Sequence, residues 1–262
     1  MQVSVTNLSN ALRLCFGTFT SIRVKQAVTV DARAVRYALA LTPIVSLIVS
    51  GTAAIMGQIL FVITDSRVLM AIAIVASEVY FTGSLHADGV ADTADGFSAA
   101  RKTDREHGLA AMKDPRIGAI GTLALLFTYG SQIAMVTFLA DPWYWISAGI
   151  IARASVSYLC SSGTPSARRD GIGLAFIGAI NTRWLAVNTT ISLLLLWGAF
   201  ALLPLRFGPI LVTVAILVLV GLILNLFKRR SIRRLGGLTG DVLGAGLEIA
   251  RTLTLLVLVV SL

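Results

Sequence analysis

Charge is scarce in this sequence, and acid is scarcer than base. Only 13% of the 262 residues are Asp, Glu, Lys or Arg, with 13 acidic side chains against 22 basic ones. A soluble domain carries roughly a quarter of its residues charged, so a water-covered globular surface is excluded. Cysteine is nearly missing. Cys15 and Cys160 stand alone, which excludes a disulfide framework and a thiolate metal site and leaves two small buried apolar residues. No internal repeat, low-complexity tract or appended soluble domain is visible. A cleavable leader is not expected either, because residues 1–36 carry polar residues throughout and lack a clean apolar core.

What is there is apolar, 56% of the chain. Long apolar runs predict an all-α polytopic membrane helical bundle forming one domain over residues 1–262, with about seven transmembrane spans. They are placed at 37–64, 68–85, 117–140, 142–163, 184–203, 207–227 and 242–262. The first is long and holds Pro43, Gly51 and Gly57, so it should tilt or bend. Segments 1–36, 86–116, 164–183 and 228–241 hold 18 of the basic residues, and the opposite connections hold 2. That asymmetry places the N-terminus and segment 86–116 in the cytoplasm. The net charge of +9 then belongs to loops against an anionic leaflet, and nucleic acid is not an expected partner. Leu8, Leu12, Cys15, Phe16 and Phe19 recur at helical spacing, for the membrane surface or for the bundle. Glu78 and Arg153 fall in mid-span, and Glu248 and Arg251 stand three apart. Each set reads as an ion pair or as a functional group.

The most informative stretch runs from His86 to Gly121. Asp88, Asp92 and Asp95 lie at i, i+4 and i+7, within about 40° of one helix face. Like charges ~6 Å apart at an effective dielectric of 20 repel by on the order of 2–3 kcal/mol. A solvated acidic helix end tolerates that, and so does a bound cation. Oxygen-only ligands suit Mg²⁺, with substrate phosphates completing its shell. Gly89, Gly96 and the basic tail Arg101, Lys102 and Arg105 favour the phosphate site. Span 68–85 is expected to run into these aspartates as one helix.

Three further cytoplasmic segments suit a phosphate. Lys113, Asp114 and Arg116 flank Pro115 at a span boundary, as snorkelling residues or a diphosphate clamp. Arg168 and Arg169 sit in a turn, where they bind phosphate or mark the inner face. Residues 172–180 are apolar but too short to span, hence re-entrant or interfacial. Lys228 to Arg234 form a basic run followed by Gly236, Gly237, Gly240 and Asp241. A glycine-rich turn entering a helix offers N–H groups to an anion.

The runs His86-Ala87-Asp88-Gly89-Val90-Ala91-Asp92-Thr93-Ala94-Asp95-Gly96, Met112-Lys113-Asp114-Pro115-Arg116-Ile117-Gly118 and Gly236-Gly237-Leu238-Thr239-Gly240-Asp241-Val242-Leu243-Gly244 together resemble the cobalamin synthase family. Ser98 and Ala99 stand where that family often has glycines. The resemblance implies an adenosylcobinamide-GDP ribazoletransferase. Such an enzyme joins adenosylcobinamide-GDP to α-ribazole or its 5′-phosphate, releases GMP, and uses Mg²⁺ in the bacterial inner membrane with its active site on the cytoplasmic side. On that resemblance Asp88 and Asp92 are metal ligands. Asp95 is a third ligand or the general base, with His86 the rival base. Lys113, Asp114 and Arg116 hold the diphosphate, Arg168 and Arg169 assist, and Gly236, Gly237, Gly240 and Asp241 close the site. A homo-oligomer or partner pathway enzymes remain open. A CDP-alcohol phosphotransferase shares this logic, but Ala91-Asp92 stands where its motif has Ala-Arg. An ion-coupled transporter would show paired repeats with broken mid-membrane helices, and none is visible.

Overall fold

The computed structural model describes residues 5–21, 30–102, 104–171 and 173–262; the side chains of 5–7, Arg101 and Lys102 lie outside that description, as do Arg23, Lys25 and Ile172. That part of the expected basic tail is therefore left aside. The described residues form eleven helices: α1 (Val5–Phe19), α2 (Ala32–Thr64), α3 (Arg67–Phe81), α4 (Leu85–Lys102), α5 (Arg105–Ala111), α6 (Ala119–Leu139), α7 (Pro142–Leu159), α8 (Gly173–Phe176), α9 (Thr182–Phe200), α10 (Gly208–Leu235) and α11 (Gly240–Val260). Among them there are no strands, only isolated parallel bridges of Ser161 with Ile180 and Ser166 with Leu238.

Five helices, α2, α6, α9, α10 and α11, are long and apolar enough to cross a membrane, and α3 with α4 makes a sixth if that bent pair is one span. The chain is a multi-pass membrane protein. Two of the seven expected segments differ for physical reasons. Segment 142–163 is helix α7, which packs against α2, α9 and α11 at the bundle centre. Shielded from lipid, it carries buried Arg153, Ser147, Ser155 and Ser157, residues a lipid-facing helix avoids. Segment 68–85 does not continue straight into the aspartates. Helix α3 stops at Phe81, and α4 leaves at 88° to it. Gly83 and Ser84 both take φ +60 at the corner, a left-handed geometry that glycine supplies freely. Ser21 fixes the corner by donating its N–H (2.8 Å) and Oγ (2.9 Å) to the Phe81 carbonyl. The expected straight helix is thus corrected to a sharp corner, and α4, with its three aspartates, turns out of the spanning direction.

Helix α2 continues through Pro43 unbroken. Proline has no N–H for the carbonyl four residues back, which is that of Leu39. Ser157 Oγ (2.6 Å), Asn188 Nδ2 (2.9 Å) and Thr42 Oγ1 (3.0 Å) donate to that oxygen instead. The freed backbone acceptor becomes a joint tying α2 to α7 and α9, as a dry interior demands. Helix α1 turns Leu14, Cys15 and Phe19 into the same core, with Phe16 packed against it, so the later part of its apolar stripe packs on the bundle while Leu8 stays exposed.

Glu78 is buried among three other helices. Its Oε1 accepts from Arg153 Nη1 (2.9 Å) and Arg251 Nη2 (2.8 Å), and its Oε2 from Trp145 Nε1 (3.1 Å). Arg251 also stacks over the Trp145 ring at 4.4 Å and lies 3.4 Å from Glu248. Glu248 in turn accepts from Gln132 Nε2 (2.9 Å) and lies 3.6 Å from His86 Nδ1. Two carboxylates and two guanidiniums thus balance one another across α3, α4, α6, α7 and α11.

Candidate active site

The site is built where α4 crosses the start of α11. A Cβ on Gly89 would lie 2.6 Å from the Asp241 carbonyl oxygen. Only glycine lets the helices meet there. The segment before α11 is held just as closely, since Leu238 N–H donates to Pro165 O (2.9 Å) and Ala167 N–H to Leu238 O (2.8 Å). Thr239 caps α11 through its side chain. Gly236 takes φ +79 and ends α10. Gly236 and Gly237 therefore shape the turn, while Gly240 and Asp241 line a cavity.

Two cavities flank this crossing. One, of about 350 Å³, is lined by Asp88, Asp92, Lys113, Asp114 and Pro115 among others. The second, of about 420 Å³, is lined by His86, Arg168, Asp170, Thr239, Gly240 and Asp241 over an apolar floor. His86 and Asp88, two residues apart on α4, serve different cavities, as a helical step of about 200° requires.

Asp92 is half-buried, and its carboxyl pKa is pushed up to about 6 by burial first, then by the charges of Asp88 and Asp241, with Arg168 opposing. Arg168 Nη1 donates to Asp241 Oδ2 at 3.1 Å, across 73 positions of sequence. Asp95 stands apart. Its Oδ2 accepts from Gly118 N–H (2.7 Å) and its Oδ1 from Gly121 N–H (2.8 Å), so both oxygens serve the start of α6.

Asp114 is partly exposed, and its carboxyl pKa is held down at about 2 by hydrogen bonds from Arg116. Arg116 donates to it from Nε (3.0 Å) and Nη2 (2.8 Å). Lys113 reaches Asp170 Oδ2 at 3.3 Å, and Arg169 is exposed. His107 belongs to the α5 cap, 3.0 Å from Asp104 Oδ1.

Among the described residues, no three His, Cys, Asp or Glu side chains converge into a finished metal cage. The donor chemistry nevertheless suits Mg²⁺, which takes one or two carboxylates plus substrate phosphates in preference to an all-protein cage. Asp88 and Asp92 on one cavity wall meet that requirement, and their mutual repulsion is what a cation relieves. The contact of Glu248 with His86 and the pairing of Arg168 with Asp241 were not anticipated. Helical spacing carries no signal for either, although Thr239 before α11 is a readable N-cap.

A multi-pass helical bundle gathers carboxylates and cationic side chains in two cavities beside the α4–α11 crossing, and sequence comparison makes it a membrane transferase. Residues 11–259 match a sequence model of the family described as cobalamin-5-phosphate synthase, and the chain belongs to that family. Several relatives bear the name adenosylcobinamide-GDP ribazoletransferase. A protein of Bradyrhizobium diazoefficiens is 34% identical over 258 residues, 97% of this chain and 95% of its own. One of Sinorhizobium medicae is 37% identical over 214 residues, 78% of each. One of Frankia casuarinae is 31% identical over 265 residues, 95% of this chain and 94% of its own. No solved structure matches.

Proposed function

We propose that this chain joins adenosylcobinamide-GDP to α-ribazole, or to its 5′-phosphate, giving adenosylcobalamin or its 5′-phosphate and GMP. The work is done at the cytoplasmic face of a bacterial inner membrane, with the N-terminus on that side. The observation that carries the reading is Asp88 and Asp92 on one wall of a cavity beside Lys113, in a chain whose full-length relatives bear that enzyme's name.

In this reaction the acceptor's 3′-hydroxyl oxygen bonds to the phosphorus on the cobinamide side of the diphosphate. The bridging P–O bond breaks, and GMP leaves with its electron pair. Asp88 and Asp92 would hold Mg²⁺, which when bound supplies neutralisation of the phosphoryl charge. Lys113 orients the diphosphate from the loop before α6, with Asp114 and Arg116 beside it. Arg168 lines the acceptor's cavity, with exposed Arg169 next to it in sequence. His86 faces the other cavity with Nδ1 near Glu248, which leaves Nε2 to take the hydroxyl proton. Asp95 positions α6 against α4 and is not needed as a ligand.

The test is GMP release by purified protein in vesicles given both substrates, with Mg²⁺ omitted and restored. Release should require both substrates and the metal, and Asp92→Asn should abolish it while the protein stays in the membrane. Activity without Mg²⁺, or a fully active Asp92→Asn, would overturn the assignment.

A further inference from the structure

The aspartate-lined cavity is acidic and must be shielded before it receives a diphosphate. The 420 Å³ cavity on the far side of the α4–α11 crossing has a different chemistry. Its floor is Phe19, Leu174, Phe176, Leu243 and Leu247. Phe176 packs edge-on against Phe19 with ring centroids 5.7 Å apart, which leaves an apolar surface suited to a flat ring. The polar side chains of the lining are His86, Thr18, Ser166, Arg168, Asp170, Thr239 and Asp241.

We infer that this cavity is the acceptor subsite, taking the apolar heteroaromatic base of a nucleoside in its floor and the ribose against His86 and Thr239. The assignment rests on the transferase reading above and divides the two substrates between the two cavities. A corrinoid is several times too large for this space. Guanine is small enough, but its ring carries donors and acceptors on nearly every edge, and a floor of Phe19, Leu174, Phe176, Leu243 and Leu247 would leave most of them unpaired. A benzimidazole-type base brings one ring nitrogen beyond its sugar bond and otherwise apolar edges. Arg168 at the polar side is where a 5′-phosphate on the acceptor would come to rest.

The experiment narrows the floor from its half-exposed edge on α8. Leu174→Trp should raise the KM for α-ribazole by about tenfold or more and leave that for adenosylcobinamide-GDP within about twofold, since steric loss falls only on the occupant of the filled space. A rise in the KM for adenosylcobinamide-GDP instead, or no change in either, overturns the subsite. A binding measurement on wild-type protein in EDTA decides independently if the variant fails to fold. Labelled α-ribazole should bind, and free benzimidazole should displace it while GDP does not. Displacement by GDP, or no binding, counts against the assignment. The transferase reading fails separately, by the absence of GMP release from wild-type protein with both substrates.

Discussion

Asp92 sits where its charge costs stability. Its pKa of about 6 lies above the ordinary carboxylate range, so between about pH 4 and pH 6 the folded state binds the proton that the unfolded state has released. Stability therefore falls as pH rises through that window, and above it the full charge penalty remains. Asp92→Asn should flatten this fall and raise the thermal midpoint in EDTA at pH 7.5 by a few degrees, the effect of about 1 kcal/mol after discounting for partial exposure. Turnover should drop by about a thousandfold or more if the carboxylate is a metal ligand. Thermal unfolding and GMP release on the same preparation check both. Asp95 should behave oppositely, because Asp95→Ala strips two N–H groups of α6 of their acceptor and costs about 1–2 kcal/mol, with activity lost in step with stability. The aspartate triplet was legible as a shared helix face. The separate use of Asp95 was not, because its partners Gly118 and Gly121 lie 23 and 26 residues away and only tertiary packing brings them in. The pairing of Arg168 with Asp241, 73 positions apart, escaped notice for the same reason.

The elements show a sharper division between what periodicity carries and what it does not. Hydropathy marked five of the seven segments as long apolar helices, because each lipid-facing helix must be apolar along its length. It failed at the corner between α3 and α4, where Thr82, Gly83 and Ser84 are too few to interrupt an apolar count, and where Ser21, some 60 positions earlier, supplies the restraint. Central helix α7 was legible as a helix, but its shielding from lipid was not. Pro43 in α2 was read, with Gly51 and Gly57, as a reason to tilt or bend; what it adds in the fold is a buried joint at the Leu39 carbonyl. Ser157→Ala and Asn188→Leu each remove one donor there, and each should cost about 1–2 kcal/mol. The double variant should lose more than the sum, since Thr42 alone is left. Thermal denaturation of the four proteins in one detergent measures that coupling, and strict additivity would show that the joint is not shared. At the α4–α11 crossing, Gly89→Ala should spread the two helices and reduce turnover at least about tenfold with little loss of folded protein, read from GMP release and monodispersity together.

Across the whole molecule, the interior charges decide how the helices are held. The sequence showed Glu78 and Arg153 as one candidate pair and Glu248 and Arg251 as another. It could not show that one Glu78 oxygen serves both arginines, because three helices must assemble first. The shared carboxylate makes the cluster asymmetric. Removing Arg153 leaves Glu78 still bound to Arg251, whereas removing Glu78 leaves two buried guanidiniums with Glu248 as the remaining carboxylate. An uncompensated buried charge costs about 3–5 kcal/mol, so Glu78→Gln should be the more damaging single change. The double variant Glu78→Gln/Arg153→Gln restores neutrality, with Arg251 against Glu248, and should recover part of the lost stability. Midpoints from thermal unfolding in detergent order the three variants. A double variant less stable than Glu78→Gln would mean that hydrogen bonding by Arg153, and not charge balance, is what this interior requires.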